Sequence, residues 1–324
     1  MKYRRFGRTN LQISEVAFGC GAQGGILIDA DDETRRAAVR RAIELGVNWF
    51  DTAAQYGQGK SEEALGWLLN EIGEKPHLST KVTIDGTAGD VAGQVERSMH
   101  ASLKRLKRGS VDLLQLHSHI EPVRGKRAVT VDDVLGPGGA AEAMEKLRDA
   151  GLVRFIGLSA LGSAACTVRV IESGRFDTAQ IYYNMLNPSA ARPMPPAWRG
   201  FNGDGLFDAC KRHDMGIMAV RILAAGYLAT PARTGRESIL TADTEPGSET
   251  RMAEGTFAAL GQRYGSRAQT AVRFALTSAD VATAVVGLAT IDHLEEACAG
   301  AAMGPLPTDA LAALQRLYKN GFAG

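Results

Sequence analysis

The sequence predicts an α/β protein, a (β/α)8 barrel of the TIM type preceded by a short N-terminal β-hairpin. Eight short apolar runs alternate with amphipathic helical segments. The runs are apolar on both faces, as the strands of a parallel sheet covered by helices are. No linker or change of composition separates these units, so residues 1–324 are expected to form one barrel domain.

The elements follow in a regular order along the chain. Residues 3–6 and 11–14 flank the turn-like GRTN and predict the hairpin. The first barrel helix is expected to begin at the N-cap Asp32 and to end at Gly46, and the second to begin at Ser61. The predicted strands are EVAFGC, VNWFD, HLSTKV, VDLLQLHS, VRFIGLSA, TAQIYYN, IMAVRIL and VATAVVG, and the last helix is DHLEEACAG.

An open, doubly wound sheet is the main alternative fold. It is disfavoured because no G-x-G-x-x-G fingerprint follows the first strand. The stretch FGCGAQGG is rich in glycine, but its spacing is different.

Composition restricts the class of protein. The chain has 324 residues and a formal net charge of +1. Its one dense basic stretch, LKRLKRGS at residues 103–110, would spread its charges over several faces of a helix, which favours a solvated surface over nucleic-acid binding. Its four cysteines lie far apart without metal-type spacing, which indicates a reducing compartment. The N-terminal MKYRRFGRTN lacks the apolar region of a signal peptide, and no long uncharged apolar stretch occurs. We therefore expect a cytoplasmic protein with no nucleic-acid or membrane partner.

Ionisable residues stand at the ends of three successive strands. Asp51 ends the second strand, Lys81 the third and His117 the fourth, and Tyr56 lies on the loop after Asp51. Because chemistry in such barrels collects at the carboxyl ends of strands, these four side chains are expected to meet at one mouth. Each alone has a structural explanation, since Asp is a turn residue and a buried His is commonly a hydrogen-bonded core residue.

The motifs RRFGRTNLQISEVAFGCG, DTAAQYG, STKV, DLLQLHSH and RFIGLSA resemble those of the aldo-keto reductase family over almost the whole chain. The resemblance includes the aldose and fucose dehydrogenase-like members. It implies an enzyme that reduces aldehydes or ketones to alcohols, reversibly, by hydride transfer from a nicotinamide cofactor. It also implies that Asp51, Tyr56, Lys81 and His117 form the catalytic tetrad.

The chemistry of these four residue types suits that reaction. As hydride reaches the carbonyl carbon, the oxygen becomes negative and takes a proton. A phenol is a weak acid near neutral pH, and the Lys81 ammonium would lower the pKa of Tyr56 by favouring the phenolate. Asp51 would keep Lys81 charged and in place. His117 would donate a hydrogen bond to the carbonyl oxygen and support its developing charge. Tyr56 would then act as the general acid in reduction.

The resemblance also implies a set of cofactor contacts. Ser159 and Gln180 match positions that hold the nicotinamide carboxamide, but the usual next asparagine is Ala160, and the usual stacking aromatic is Val220. The segment VRILAAGYL matches the pyrophosphate loop, and VVGLATIDHLEEA matches the adenosine segment, with Ala297 in place of an asparagine. The predicted contacts are Gly21, Ala22, Ser159, Gln180, Arg221, Leu223, Gly226, Gly287, Thr290, His293 and Glu296.

Cofactor choice follows family habit more than residues. NADP(H) is favoured because the family commonly uses it, yet the phosphate positions offer Thr290, His293 and a helix N-terminus where arginine or lysine would bind a 2′-phosphate best. NAD(H) therefore stays possible.

Three alternatives remain open at this stage. The protein can be an NAD-dependent aldose 1-dehydrogenase of the same fold, or a non-catalytic cofactor-sensing subunit attached to a channel. The HSH of residues 117–119 has the form of some barrel zinc sites, although no further ligand set is evident, so no metal is predicted.

A small-molecule carbonyl, either an aldehyde, a ketone or a sugar, is the expected partner. Pro195, Trp198 and Phe201 are candidates for the pocket wall and equally for loop packing. The sequence predicts neither the physiological substrate and direction nor the oligomeric state.

Overall fold

The structure, a computed structural model, describes residues 1–22, 24–196, 198, 200–232 and 247–322. Its strands are β1 (Tyr3–Arg5), β2 (Gln12–Ser14), β3 (Val16–Gly19), β4 (Trp49–Asp51), β5 (His77–Val82), β6 (Val111–Leu116), β7 (His119–Ile120), β8 (Ala128–Val129), β9 (Val153–Ser159), β10 (Thr178–Tyr182), β11 (Gly216–Val220) and β12 (Val281–Gly287).

The helices lie between and after these strands. They are α1 (Ile26–Asp29), α2 (Asp32–Glu44), α3 (Lys60–Ile72), α4 (Val91–Leu106), α5 (Val131–Leu135), α6 (Ala140–Asp149), α7 (Ala164–Glu172), α8 (Leu206–Arg212), α9 (Ser248–Leu260), α10 (Arg267–Thr277), α11 (Ile291–Ala302) and α12 (Thr308–Lys319). Single turns of 3-10 helix occur at Gly7–Thr9, Tyr56–Gly59 and Ala224–Gly226.

Eight parallel strands close into the predicted barrel in the order β3-β4-β5-β6-β9-β10-β11-β12, and β12 pairs with β3. The fold class is confirmed. β1 and β2 form the predicted antiparallel hairpin outside the barrel, with Tyr3 opposite Ser14. Three strands lie between β4 and β10 in either direction around the ring, so these two strands face each other across the barrel.

The N-terminal hairpin covers the bottom of the barrel. Phe6 packs edge-on against Trp49, with ring centroids 5.1 Å apart. Arg4 binds Glu15 at 2.8 Å and donates to three backbone carbonyls of residues 276–281 at 2.8–2.9 Å. These contacts anchor the hairpin to the end of the barrel opposite the strand ends that carry the ionisable residues.

Two predicted helix starts differ from the structure. Asp31, not Asp32, caps α2, because its extended backbone lets the carboxylate accept from the Thr34 amide at 2.8 Å. Helix α3 begins at Lys60 after Gly59, whose φ is +95°. The hydroxyl of Ser61 is instead used inside the fold, where it donates to the Cys20 carbonyl at 2.9 Å.

Several elements were not predicted. The loop after β6 contains the small pair β7 and β8 and helix α5, and α12 follows the last barrel helix. Across the described ranges, no helix combines the length and apolarity needed to span a membrane.

Candidate active site

The four predicted catalytic residues lie together at the carboxyl end of the barrel. Asp51 is the last residue of β4 and pairs with Ser79 on β5. Lys81 is near the end of β5, and His117 follows β6 directly. Tyr56 begins the 3-10 turn after β4, where Gly57 and Gln58 adopt left-handed conformations. This turn lets the chain double back, so that the phenol of Tyr56 reaches Lys81.

Lys81 is the centre of the cluster. Its side chain is fully buried, and its Nζ donates to Asp51 Oδ2 at 2.5 Å, to the Thr52 carbonyl at 2.8 Å and to Tyr56 Oη at 3.2 Å. An ammonium has three hydrogens, so each one has an acceptor. Burial alone lowers the pKa of Lys81, but the Asp51 carboxylate and Tyr56 outweigh it and raise that pKa above its ordinary value. Lys81 is therefore a fixed cation.

The second carboxylate oxygen of Asp51 is held by side chains from three other strands. Oδ1 accepts from Ser79 Oγ at 2.7 Å, from Gln115 Nε2 at 3.1 Å and from Gln180 Nε2 at 2.6 Å. Hydrogen bonds to the charged form stabilise a carboxylate in a buried site. Asp51 is thus constrained on both oxygens and orients Lys81.

The environment of Tyr56 keeps its phenol protonated. Burial raises the pKa of Tyr56, while the Lys81 ammonium opposes that rise. The contribution of Lys81 has the predicted direction, although desolvation is the larger effect in this structure. Lys81 Nζ also lies 4.7 Å from the centre of the phenol ring.

His117 is half-buried beside Tyr56. The two ring centroids are 6.3 Å apart and the planes are nearly perpendicular. Burial, together with the cations Lys81 and Arg127 and the neighbouring His119, holds the pKa of His117 well below its ordinary value. Its Nδ1 lies 2.8 Å from Ser159 Oγ. His117 is therefore a neutral imidazole with one ring nitrogen occupied by a hydroxyl.

The residues predicted around the nicotinamide surround this cluster. A Cβ placed on Gly21 would lie 3.5 Å from the Tyr56 ring, so the backbone of Gly21 passes beside the phenol. Ala22 is exposed next to it. Ser159 is the last residue of β9, and Gln180 lies on β10. Ser159 contacts His117, and Gln180 contacts Asp51. Their predicted role in carboxamide binding stays a prediction.

The loop after β11 has an unusual backbone. Arg221, Ala224 and Ala225 have φ values of +57°, +46° and +55°, and Gly226 has +106°. Left-handed conformations cost side-chain-bearing residues about 1–2 kcal/mol each and persist where surrounding structure imposes them. Backbone turns of this kind can present amides to an anion. Leu223 lies half-buried within this loop, so the predicted pyrophosphate residues share one strained segment.

The adenosine-side residues lie at the start of α11. Thr290 is the N-cap of this helix, and its hydroxyl accepts from the His293 amide at 3.3 Å. Gly287 and His293 are exposed, and Glu296 is half-buried one turn later. Asp292, which is not among the predicted site residues, places an acid in the first turn of α11.

An aromatic pair stands beside the mouth. Tyr182, the last residue of β10, stacks on Phe201 with centroids 5.9 Å apart, and the Arg221 guanidinium lies 5.7 Å from the Tyr182 ring. Trp198 is instead half-buried in its own loop, where its amide donates to the Pro195 carbonyl at 2.9 Å. Of the three predicted wall residues, Phe201 therefore has the clearest connection to the barrel end.

No cluster of three or more His, Cys, Asp or Glu side chains suited to a metal occurs in the described part of the chain. His119 begins β7, where its amide donates to the Arg127 carbonyl at 2.8 Å. The HSH motif therefore supplies one residue of the tetrad and one strand residue.

Ser79, Gln115 and Tyr182 are site residues that the sequence reasoning missed. Ser79 stands two positions before Lys81 on β5, and Gln115 on β6 stands two positions before His117, which follows that strand directly. Because alternate strand residues share a face, that spacing was a usable signal that both point into the barrel with the tetrad.

Comparisons with known proteins identify the family of this chain. The model of the Aldo/keto reductase family matches residues 15–319. Aldo-keto reductase YhdN of Bacillus subtilis is 31% identical over 167 residues, 49% of this chain and 47% of that protein, so the chain matches only about half of its length.

Two longer matches are to sugar dehydrogenases. L-galactose dehydrogenase of Arabidopsis thaliana is 26% identical, with 91% of this chain and 86% of that protein covered. D-threo-aldose 1-dehydrogenase of a Pseudomonas species is 28% identical, with 70% and 71% covered.

The holo form of aldo-keto reductase AKR11C1 from Bacillus halodurans has the same fold, with a TM-score of 0.76 and 22% identity over 98% of this chain and 97% of that chain.

Proposed function

Since the chain belongs to the aldo/keto reductase family, we propose that it transfers hydride reversibly between a nicotinamide cofactor and a small carbonyl substrate, with Tyr56 as the proton donor in reduction. The family's members are oxidoreductases that use nicotinamide cofactors. The proposal for this chain concerns its own tetrad, its cofactor choice and its substrate class.

One observation carries the proposal: the three hydrogens of Lys81 are assigned to Asp51, Thr52 and Tyr56. The phenol oxygen accepts one of them, and its own hydrogen has no acceptor within the described residues. That hydrogen is free for a substrate oxygen. A raised pKa keeps it in place near neutral pH until a stronger base forms.

The proton balance then follows from the same contacts. In reduction, the carbonyl oxygen gains negative charge and takes the Tyr56 proton, which leaves a phenolate 3.2 Å from the Lys81 ammonium. Charge of opposite sign at that distance stabilises the phenolate. In oxidation the same phenolate removes the hydroxyl proton of an alcohol, and Asp51 keeps Lys81 charged in both directions.

His117 would orient the carbonyl. Because it is neutral, it can donate one hydrogen bond to the oxygen without adding a full charge. A donor placed where negative charge develops lowers the barrier more than it tightens substrate binding.

The residues present fit a nicotinamide dinucleotide on two observations. His117 Nδ1 is the one partner of Ser159 Oγ among the described residues, so this hydroxyl keeps at least one free lone pair for a carboxamide, and the loop at residues 221–226 holds a left-handed backbone suited to an anion. A bound nicotinamide supplies or accepts the hydride. Ser159, Arg221, Leu223 and Gly226 would bind it, whereas the Gln180 amide would have to leave Asp51 or bind through its oxygen.

We propose that NADP(H) and NAD(H) are both used. Family habit favours NADP(H), but Thr290 already caps the backbone amide of His293, and Asp292 places an acid in the same turn. A carboxylate beside a helix N-terminus opposes a second anion there. Discrimination between the two cofactors should therefore be modest.

The substrate is proposed to be an aldehyde, a ketone or a sugar. A sugar is favoured by the two long matches, because both relatives are named as sugar dehydrogenases. Oxidation of an aldose at its first carbon is accordingly the second candidate function, and it uses the same four residues in the reverse direction.

The test is turnover by Tyr56→Phe. Aldehydes and aldoses are assayed with NADPH and NADH, and alcohols and aldoses with the oxidised cofactors. The variant should lose about a hundredfold or more of kcat, as the removal of a general acid does, while cofactor binding measured by fluorescence stays within about threefold. Tyr183→Phe is the matched control, because Tyr183 is a buried tyrosine packed between Phe207 and Phe274.

Near wild-type turnover by Tyr56→Phe would refute the tetrad assignment. Tight cofactor binding without turnover of any substrate by the wild-type protein would favour the cofactor-sensing alternative instead.

A further inference from the structure

We propose that Ser159 is a positioning residue that donates its hydroxyl hydrogen to Nδ1 of His117 and thereby fixes the proton of the neutral imidazole on Nε2. This role is distinct from the carboxamide contact that the family resemblance implies for Ser159. It concerns which of the two ring nitrogens can face a substrate as a donor.

The geometry is short and buried. Ser159 Oγ lies 2.8 Å from His117 Nδ1, and the Ser159 side chain is 3% exposed at the end of β9. The two residues come from adjacent strand ends, since β6 and β9 pair in register through Leu116 and Leu158. Strand pairing therefore holds the hydroxyl and the imidazole together.

Counting donors and acceptors gives the direction of the bond. A hydroxyl has one hydrogen, and within the described residues Nδ1 of His117 is its one acceptor. If Ser159 accepted from Nδ1–H instead, its own hydrogen would be buried without a partner. An unsatisfied buried donor is costly, whereas an oxygen lone pair left without a donor costs less. Donation from Ser159 is the arrangement that satisfies the hydroxyl.

The protonation state of His117 makes this choice decisive. Burial and the neighbouring cations hold the pKa of His117 well below its ordinary range, so only one of its two ring nitrogens carries a hydrogen at neutral pH. When Nδ1 accepts from Ser159, that hydrogen must be on Nε2. The opposite tautomer would turn a lone pair towards a carbonyl oxygen and repel it.

The chemical consequence rests on the proposed function, in which His117 Nε2–H donates to the carbonyl oxygen. Ser159 keeps two lone pairs after donating, so it can still accept from a carboxamide. Ala160, the next residue, is 2% exposed and has no amide side chain that could share this role. One hydroxyl would then connect the cofactor side of the site to the tautomer of His117.

The tautomer can be measured without substrate or turnover. We would label the protein with 15N-histidine, record long-range proton–nitrogen correlations at neutral pH, and assign His117 among the six histidines by comparison with His117→Gln. We expect an unprotonated Nδ1 and a protonated Nε2 in the wild type. A proton on Nδ1 would overturn the inference.

Variants at the hydroxyl then test its cause. In Ser159→Ala both tautomers should be populated, and kcat should fall roughly tenfold, less than for complete removal of an oxyanion donor. Ser159→Thr keeps the hydroxyl and should restore the wild-type tautomer and most of kcat. Ser118→Ala is the matched control, because Ser118 is buried nearby and its hydroxyl bonds the Ile84 backbone instead.

The two proposals fail separately. An unchanged His117 spectrum in Ser159→Ala would overturn the role of Ser159 while leaving the tetrad intact. A fixed Nε2–H tautomer together with full activity of Tyr56→Phe would refute the proposed function and leave the inference about Ser159 standing.

Discussion

Replacing Lys81 by methionine is the sharpest test of how the phenol is tuned. Lys81 Nζ lies 3.2 Å from Tyr56 Oη, and at an effective dielectric constant of about 20 an ammonium and a phenolate at that distance attract by roughly 5 kcal/mol. That energy corresponds to about four pKa units at about 1.4 kcal/mol each. Side-chain rearrangement and entering water will reduce the effect, so we expect the pKa of Tyr56 to rise by about two units or more.

The pH profile of oxidation and the titration of the Tyr56 phenol should both move to higher pH in Lys81→Met. Oxidation requires the phenolate, so its rate should begin to rise at higher pH in Lys81→Met than in the wild type. Alkaline titration of tyrosinate absorbance, taken as a difference from the same proteins carrying Tyr56→Phe, should move in the same direction. In Lys81→Met the Asp51 carboxylate stays charged without its cation, so the double variant with Asp51→Asn separates the repulsion between Asp51 and the phenolate from the loss of the ammonium.

An alkaline limb that stays at its wild-type pH, with only a lower rate, would refute the electrostatic role. Lys81 would then position Tyr56 without tuning its pKa.

Three further outcomes are expected. Asp51→Asn should lower the free energy of unfolding by about 3 kcal/mol in urea titrations, because it leaves the buried Lys81 ammonium without its counter-ion; a change below about 0.5 kcal/mol would contradict this. Arg4→Met should lower the free energy of unfolding by about 2 kcal/mol, because it removes part-buried hydrogen bonds to three backbone carbonyls. Arg5→Met breaks an exposed ion pair and should lower it by less than about 1 kcal/mol; equal losses would contradict the anchoring role of Arg4. The wild type should use NADPH and NADH within about a hundredfold in kcat/KM, because a helix N-terminus favours a phosphate by only about 1 kcal/mol, or about fivefold. His293→Arg should shift the ratio towards NADPH. Selectivity of several orders of magnitude in the wild type would mean that another residue holds the phosphate.

The barrel and the clustering of the four predicted catalytic residues could be predicted because their signals are local. Each strand is a short run with little polar content, and Asp51, Lys81 and His117 stand at the ends of three such runs. Once eight units are recognised, the closed topology brings those ends together. The turn that returns Tyr56 to Lys81 was also signalled, by Gly57 directly after the tyrosine.

The partners of the tetrad were less accessible to sequence reasoning. Gln180 matches a cofactor position by resemblance, and only the barrel's closure shows that its amide reaches Asp51. The predicted start of α2 was wrong because two neighbouring residues, Asp31 and Asp32, could each serve as N-cap. Their backbone angles decide which one does so. The pKa of Tyr56 depends on how deeply the phenol is buried, which no single segment encodes.

The side chains of Gln180 on β10 and Asp51 on β4 extend from opposite walls of the barrel and meet in a hydrogen bond across its interior. The loop after β10 is the natural place to exchange sequence when a new substrate is wanted, because loops at this end of such barrels tolerate variation. Here a graft that shifts β10 by one residue would turn the amide out of the interior and remove a donor from the carboxylate that orients Lys81. Loop transplants into this scaffold should therefore begin after Tyr182 and preserve the register of β10, or the acid–base group on the far wall will change together with the specificity.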